Sequence, residues 1–327
     1  MKHITTFAAA VGAVTLALTG CAGGGKAAQS GEAKAELPFK ACAVSDTGGW
    51  QDKSFNESAY DGLMEAKSYL GVTVDTAESD TEDDFVGNVD KLVASDCTLI
   101  IGVGFHLEPA VHQSALQHPD RNFAMIDTTF TDGTDETVLK NGRPLLFNAS
   151  EASFLAGYAS AAMSKTGKVA TFGGAQIPAV AVFMDGFADG VKAYNEAKGT
   201  SVQVLGWDKD TQTGAFTDSF DDQSLGLQQA QQFIAQGADI IMPVAGPVGM
   251  GAAAAAKADG KTLIVGVDSD WYETNPQYSS IILTSVMKEI GAAVEQAIQD
   301  SVKGKFTSEH YIGTLANGGV SLAPFHD

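Results

Sequence analysis

Short apolar runs alternate with amphipathic stretches along most of this chain, and the alternation runs through twice. FKACAVSD, VTVDTAES, CTLIIGVG and NFAMID read as strands. Between them lie SFNESAYDGLMEAKSYL, TEDDFVGNVDKLVAS and LEPAVHQSALQH, whose apolar residues recur at helical spacing. Parallel neighbours need a crossover, so this order predicts a parallel sheet with helices on both faces. After LLFNAS and a small-residue helix, EASFLAGYASAAMSK, the pattern restarts. KVATFGG, SVQVLGW, DIIMPVAG and TLIVGVD are expected strands, with PAVAVFMDGFADGVKAYNEA, QSLGLQQAQQFIAQG and GMGAAAAAKA as the helices between them. The fold class is therefore α/β, built as two similar Rossmann-like lobes and not as one long sheet.

A strand and helix left over, SIILTSV and MKEIGAAVEQAIQDSVKG, predict that the chain returns to the first lobe. The closing ANGGVSLAPF then reads as a short strand or loop going back to the second. The expected division is 38–149 with 271–305 for one lobe, and 150–270 with 306–327 for the other. Several crossings make a hinge. Ligands of such sheets lie at the carboxyl ends of the strands, so two facing lobes enclose a cleft.

The N-terminal residues bear on compartment. Lys2 precedes an apolar stretch at 7–18, too short for a bilayer and suited to a signal peptide over 1–20. It runs into Leu18-Thr19-Gly20-Cys21, which resembles a bacterial lipoprotein cleavage box with Cys21 as the lipid-bearing residue. The Gly- and Ala-rich 21–37 segment reads as a flexible tether, placing the folded body outside the cytoplasmic membrane and anchored to it. The formal charge of −20 argues against nucleic acid as a partner and predicts a soluble chain, expected as a monomer. Two cysteines remain, Cys42 and Cys97, each near the start of an expected strand. They form either a disulfide between neighbouring strands or a pair of buried thiols, and without a CxxC neither a zinc nor a redox role is indicated.

DTGGWQDKSFNESAYDGL is the segment richest in chemistry. A strand ends at Asp46, a glycine loop follows, and Ser54 with Glu57 has capping-box spacing, so Phe55 and Asn56 fall in the first turn of a helix at a sheet's carboxyl edge. Asp127 and Asp268 end two further expected strands. Phe183, Phe187 and Val191 recur at ordinary core spacing. Several other signals fail: Gly260-Lys261-Thr262 lacks the first P-loop glycine, and His106, His112 and His118 scatter around a helix, so no metal or other cofactor is expected.

The opening segment resembles that of the basic membrane protein (BMP/PnrA-like) family of ABC-transporter solute-binding lipoproteins. The likeness continues in order through FAMID, GGAQIPAVAVFMDGFADGVK, FTDSFDD, GPVGMG, GVDSDW and TSVMKEIG. It implies a type I periplasmic-binding fold, a permease of the same importer as partner and, in the nucleoside-binding branch, a nucleoside ligand. Carried over by residue, Phe55 and Phe183 sandwich the base, and Asp46, Asn56 and Asp127 hydrogen-bond the base or anchor the cleft. Asp268 accepts from ribose hydroxyls, Lys288 donates to a ribose oxygen, and Gly246 lets backbone approach the ligand. The chain departs from the family at Gln51, usually acidic, and at Trp271, commonly Gln; Trp271 either adds a stacking face at the cleft mouth or packs inertly. One lysine among several aspartates disfavours phosphate, so a neutral nucleoside is expected. A nucleoside N-ribohydrolase is the alternative enzyme, since its calcium loop also opens with an Asp-rich strand end, but Asp46 and Asp52 lack the further aspartates it needs. A ligand sensor of the same fold, or a binder of another polar solute, are the remaining alternatives.

Overall fold

The apolar runs ending at Ser45, Val103 and Ile126 are buried along nearly their whole length in the computed structural model, which describes residues 37–130 and 139–326. The expected signal peptide, Cys21 and the tether up to residue 36 lie outside the described residues. Strands β1 (Lys40–Ser45), β2 (Thr73–Ala77), β3 (Leu99–Val103), β4 (Asn122–Ile126) and β5 (Gly142–Phe147) pair in parallel. Helices α1 (Phe55–Leu70), α2 (Phe85–Ala94) and α3 (Glu108–Gln117) make the crossovers. Continuous burial explains why β1, β3 and β4 carry apolar runs and little alternation, since helices cover both faces. Each buried Ile, Leu or Val contributes about 1.5–3 kcal/mol.

Helix α4 (Ala149–Met163) leads into the second unit. Its strands are β6 (Lys168–Gly173), β7 (Gln203–Leu205), β10 (Ile240–Val244) and β11 (Leu263–Asp268), and its helices are α5 (Pro178–Lys198), α6 (Gln223–Ala235) and α7 (Val248–Asp259). The expected strand SVQVLGW is broken at Gly206, whose φ of 83° turns the chain away from the sheet. A small hairpin follows, β8 (Trp207–Asp208) with β9 (Thr213–Gly214). After the short α8 (Trp271–Thr274) come β12 (Ile282–Lys288), α9 (Ile290–Val302), β13 (Tyr311–Gly313) and β14 (Val320–Leu322). The first sheet runs β13-β5-β4-β3-β1-β2 and the second β14-β12-β11-β10-β6-β7.

These orders correct the expected lobe boundaries. Residues 271–305 do not return together to the first lobe: β12 pairs with β11 and completes the second sheet, and only α9 crosses back. Residues 306–327 do not stay together in the second lobe either, because β13 is the edge strand of the first sheet beside β5. Strand β14 pairs antiparallel with β12 at the edge of the second sheet. Packing explains the crossing of α9. At Gly62 on α1, an added Cβ would lie 2.4 Å from the Gly291 carbonyl oxygen, so α1 and α9 touch backbone to backbone at a seam that a larger residue would force open.

Cys42 and Cys97 are disulfide-bonded, with Cα atoms 5.9 Å apart. Both are fully buried, in a core under α2 and α3 that is separate from the larger one shared by α1, α9 and the second lobe. No helix among the described residues is long and apolar enough to cross a membrane.

Candidate functional site

The carboxyl ends of both sheets face one cleft. All eight residues expected to touch ligand line it: Asp46, Phe55, Asn56, Asp127, Phe183, Gly246, Asp268 and Lys288.

On the first lobe, Asp46 follows β1. Its Oδ1 accepts from the Gly48 N–H at 3.0 Å and from Asn56 Nδ2 at 2.7 Å. Burial raises the Asp46 pKa, opposed by those hydrogen bonds and more weakly by His106. Gly104, at the end of β3, has φ 118°, and a Cβ there would fall 2.3 Å from Asp46 Oδ2, so only glycine lets this carboxylate lie across the strand end. The bond from Nδ2 fixes the Asn56 amide and leaves its Oδ1 buried without a partner.

The helix cap differs from the expected one. Ser54 makes no side-chain cap. Instead Asp52 accepts from the N–H groups of Ser54 at 2.9 Å, Asn56 at 2.9 Å and Glu57 at 3.0 Å, while Glu57 accepts from the Lys53 N–H at 2.8 Å. Asp52 is the better cap because an ionised carboxylate suits the positive end of the helix dipole. Ser54 is thereby freed to reach the other lobe, donating toward Asp268 Oδ2 at 3.3 Å. Ser269 donates in the opposite direction, to the Lys53 carbonyl at 3.0 Å.

Burial raises the Asp52 carboxyl to about 6 against its hydrogen bonds. Its native pKa thus exceeds the unfolded one. The stability it contributes is fully present below the unfolded pKa of 3.8 and is lost as pH rises through about 6. Asp52→Asn is expected to abolish that loss, so that between pH 4 and pH 7 the variant gains on the wild type by on the order of 3 kcal/mol in urea denaturation. Any fixed cost of a poorer cap is pH-independent, and parallel curves would refute the assignment.

On the second lobe, Asp268 ends β11 and Lys288 ends β12. Lys288 Nζ lies 2.7 Å from Asp127 Oδ2, across the cleft, and 3.7 Å from Asp268 Oδ1. All three side chains are at most 9% exposed. Burial works to lower the Lys288 pKa, but the two carboxylates outweigh it and hold the ammonium above its ordinary range. Burial raises Asp268, with Lys288 opposing. Asp127 and Asp268 occupy matching strand ends and both take a left-handed backbone, φ 66° and 67°, which non-glycine residues rarely adopt. The ammonium also lies 4.9 Å from the Phe183 ring centre and 5.3 Å from that of Phe55. Gly246, φ 51°, bends the chain between β10 and α7.

The cleft contains residues that sequence reasoning missed. Phe105 and His106 come from the turn after β3, and Phe220 comes from the FTDSFDD segment. The signal for the first two was positional: β3 lies beside β1, so its carboxyl end had to adjoin Asp46. Phe220 had no such signal. Trp271 stays out of the cleft; it is fully buried, donating Nε1–H to the Val267 carbonyl at 2.9 Å. Gln51 is exposed at an outer hollow adjoining the cleft. Asp46 and Asp52 turn their oxygens to different donors and share none.

Residues 39–325 match the family described as ABC transporter substrate-binding protein, PnrA-like. The chain is 30% identical to the ABC transporter nucleoside-binding protein BmpA of Lactococcus lactis subsp. cremoris, over 96% of this chain and 90% of that protein. It is also 30% identical to Basic membrane protein A of Borreliella burgdorferi, over 88% of this chain and 77% of the other. The crystal structure of an ABC transporter system solute-binding protein from Aeropyrum pernix K1 superposes with a TM-score of 0.76 at 29% identity, covering 88% of this chain and 77% of that one.

Proposed function

The chain belongs to the PnrA-like family of ABC-transporter substrate-binding proteins, with their type I periplasmic-binding fold, and we propose that its cleft takes a neutral nucleoside. The observation that carries this reading is the pairing of two aromatic faces with an acceptor-rich polar set. Phe55 from the first lobe and Phe183 from the second line the cleft together with Asp46, Asp127, Asp268 and Lys288. A nucleoside has the matching halves. Its base stacks on aromatic rings, worth about 1–3 kcal/mol per base, and its ribose hydroxyls donate to carboxylates. The buried Oδ1 of Asn56 needs a donor, which a base edge supplies. A phosphate would meet four carboxylates, including Asp52, against one ammonium. The Lactococcus relative, by its name a nucleoside-binding protein, supports the same ligand class.

Capture then proceeds by closure. Phe55, Asn56 and Asp127 lie on one lobe, and Phe183, Gly246, Asp268 and Lys288 on the other, so a ligand touching both stabilises the closed form. A monomer anchored by lipid on Cys21, outside the cytoplasmic membrane, would present this closed form to its permease.

Titration calorimetry of the chain lacking the residues before and including Cys21 tests the ligand. Guanosine, adenosine, inosine, cytidine, uridine, ribose and GMP are the panel. Micromolar or tighter binding of at least one nucleoside is expected, with ribose and GMP about 100-fold weaker or more, a difference of roughly 2.7 kcal/mol. No binding by any nucleoside, or GMP equal to guanosine, would overturn the reading.

A further inference from the structure

His106 has a role that neither the fold nor the family match assigns. The left-handed Gly104 turns the chain at the end of β3 into a single 3-10 turn, Phe105–Leu107, and so brings both Phe105 and His106 to the cleft wall. The two rings meet edge to face, with centres 5.9 Å apart and planes at 80°. The imidazole is held from behind. Its Nδ1 lies 3.0 Å from Glu82 Oε1, and Glu82 does not line the cleft. A carboxylate only accepts hydrogen bonds, so at this separation the pairing favours the tautomer with its proton on Nδ1, in which Nε2 is an acceptor. Nε2 is also the ring atom left for a ligand. Nearby, Asn56 presents a second acceptor of fixed orientation, because its Nδ2 is tied to Asp46.

We propose that His106 is a specificity-determining residue of the cleft, with Glu82 as its positioning residue, and that it selects nucleosides whose base carries an amino group toward the first-lobe wall. The inference rests on the nucleoside reading above. It goes further by naming a discriminating group and the hydrogen-bonding character it demands. A ligand edge that presents a lone pair to Nε2 leaves two acceptors facing each other without a proton, which disfavours that ligand relative to one offering an N–H. Glu82 and His106 are both well exposed, with 67% and 43% of their side chains accessible, so substitution there leaves the core intact.

The test uses nucleosides in pairs that differ by one amino group: guanosine with inosine, and adenosine with purine riboside. Titrations are run at about pH 8. The wild type is expected to favour the amino member of at least one pair by about tenfold, roughly 1.4 kcal/mol. H106F should bring that ratio to within about twofold while the chain still binds. E82A should lower the ratio, and E82Q, which keeps an acceptor for Nδ1–H, should restore it. A purely structural His106 would shift both members of a pair equally, and unchanged ratios in H106F overturn the proposal while leaving the nucleoside reading intact. A wild type that binds no nucleoside overturns both.

Discussion

Lys288→Met is expected to weaken nucleoside binding by about 100-fold or more and to destabilise the closed chain. The methionine fills nearly the same space, so the loss is electrostatic. Asp127 and Asp268 would face one another across the cleft with no cation between them, although Lys288 Nζ now lies 2.7 Å and 3.7 Å from their oxygens. Removing one member of a buried ion pair costs about 3–5 kcal/mol, because the remaining charge stays out of water without compensation. The double variant Asp127→Asn with Lys288→Met removes that repulsion, leaving only Asp268 buried without a cation, and should regain part of the stability, though little of the affinity. Lowering the pH should also help the single variant, since burial already raises the Asp268 pKa and a proton there relieves the conflict. Urea denaturation and calorimetry of the four proteins of the cycle measure the coupling. Near-additive effects would show that Lys288 acts alone.

The second large effect is on the fold. Cys42 and Cys97 close a loop with a sequence separation of 55. Chain-entropy arguments put the stabilisation from such a cross-link at about 4 kcal/mol. Replacing both with Ala should therefore lower the unfolding free energy by about that amount while leaving ligand affinity nearly unchanged, because the bond lies in the core under α2 and α3 and not at the cleft. The same shift should appear when the wild type is denatured in reductant. A double variant as stable as the wild type would refute the stabilisation.

Strands and helices were legible because the sheet is parallel and its helices amphipathic. Buried strands gave apolar runs, and the strand ends at Asp46, Asp127 and Asp268 followed from where those runs stop. Sheet membership was not legible. SIILTSV has the composition of a strand from either lobe, and only the backbone seam of Gly62 on Gly291 and the pairing of β12 with β11 decide where the chain crosses. The cap was misread for a local reason: Ser54-to-Glu57 spacing is right for a capping box, but Asp52 outcompetes the serine for the helix N–H groups. Phe183 looked like core by its spacing, and at 1% exposure it is core as well as cleft wall. His106 and Phe220 belong to turns, where no periodicity marks a side chain as facing inward.

The edge strands β13 and β14 have a consequence for the order of events during synthesis. Each sheet ends on a strand drawn from residues 311–322. While the chain is still emerging, β5 and β12 each expose an unpaired edge, and neither lobe is complete however long its earlier residues have been available. Completion of both lobes thus waits for one short segment, residues 311–322. A chain stalled or clipped before residue 311 would lack a strand from both lobes at once, leaving two open edges suited to pairing with other chains.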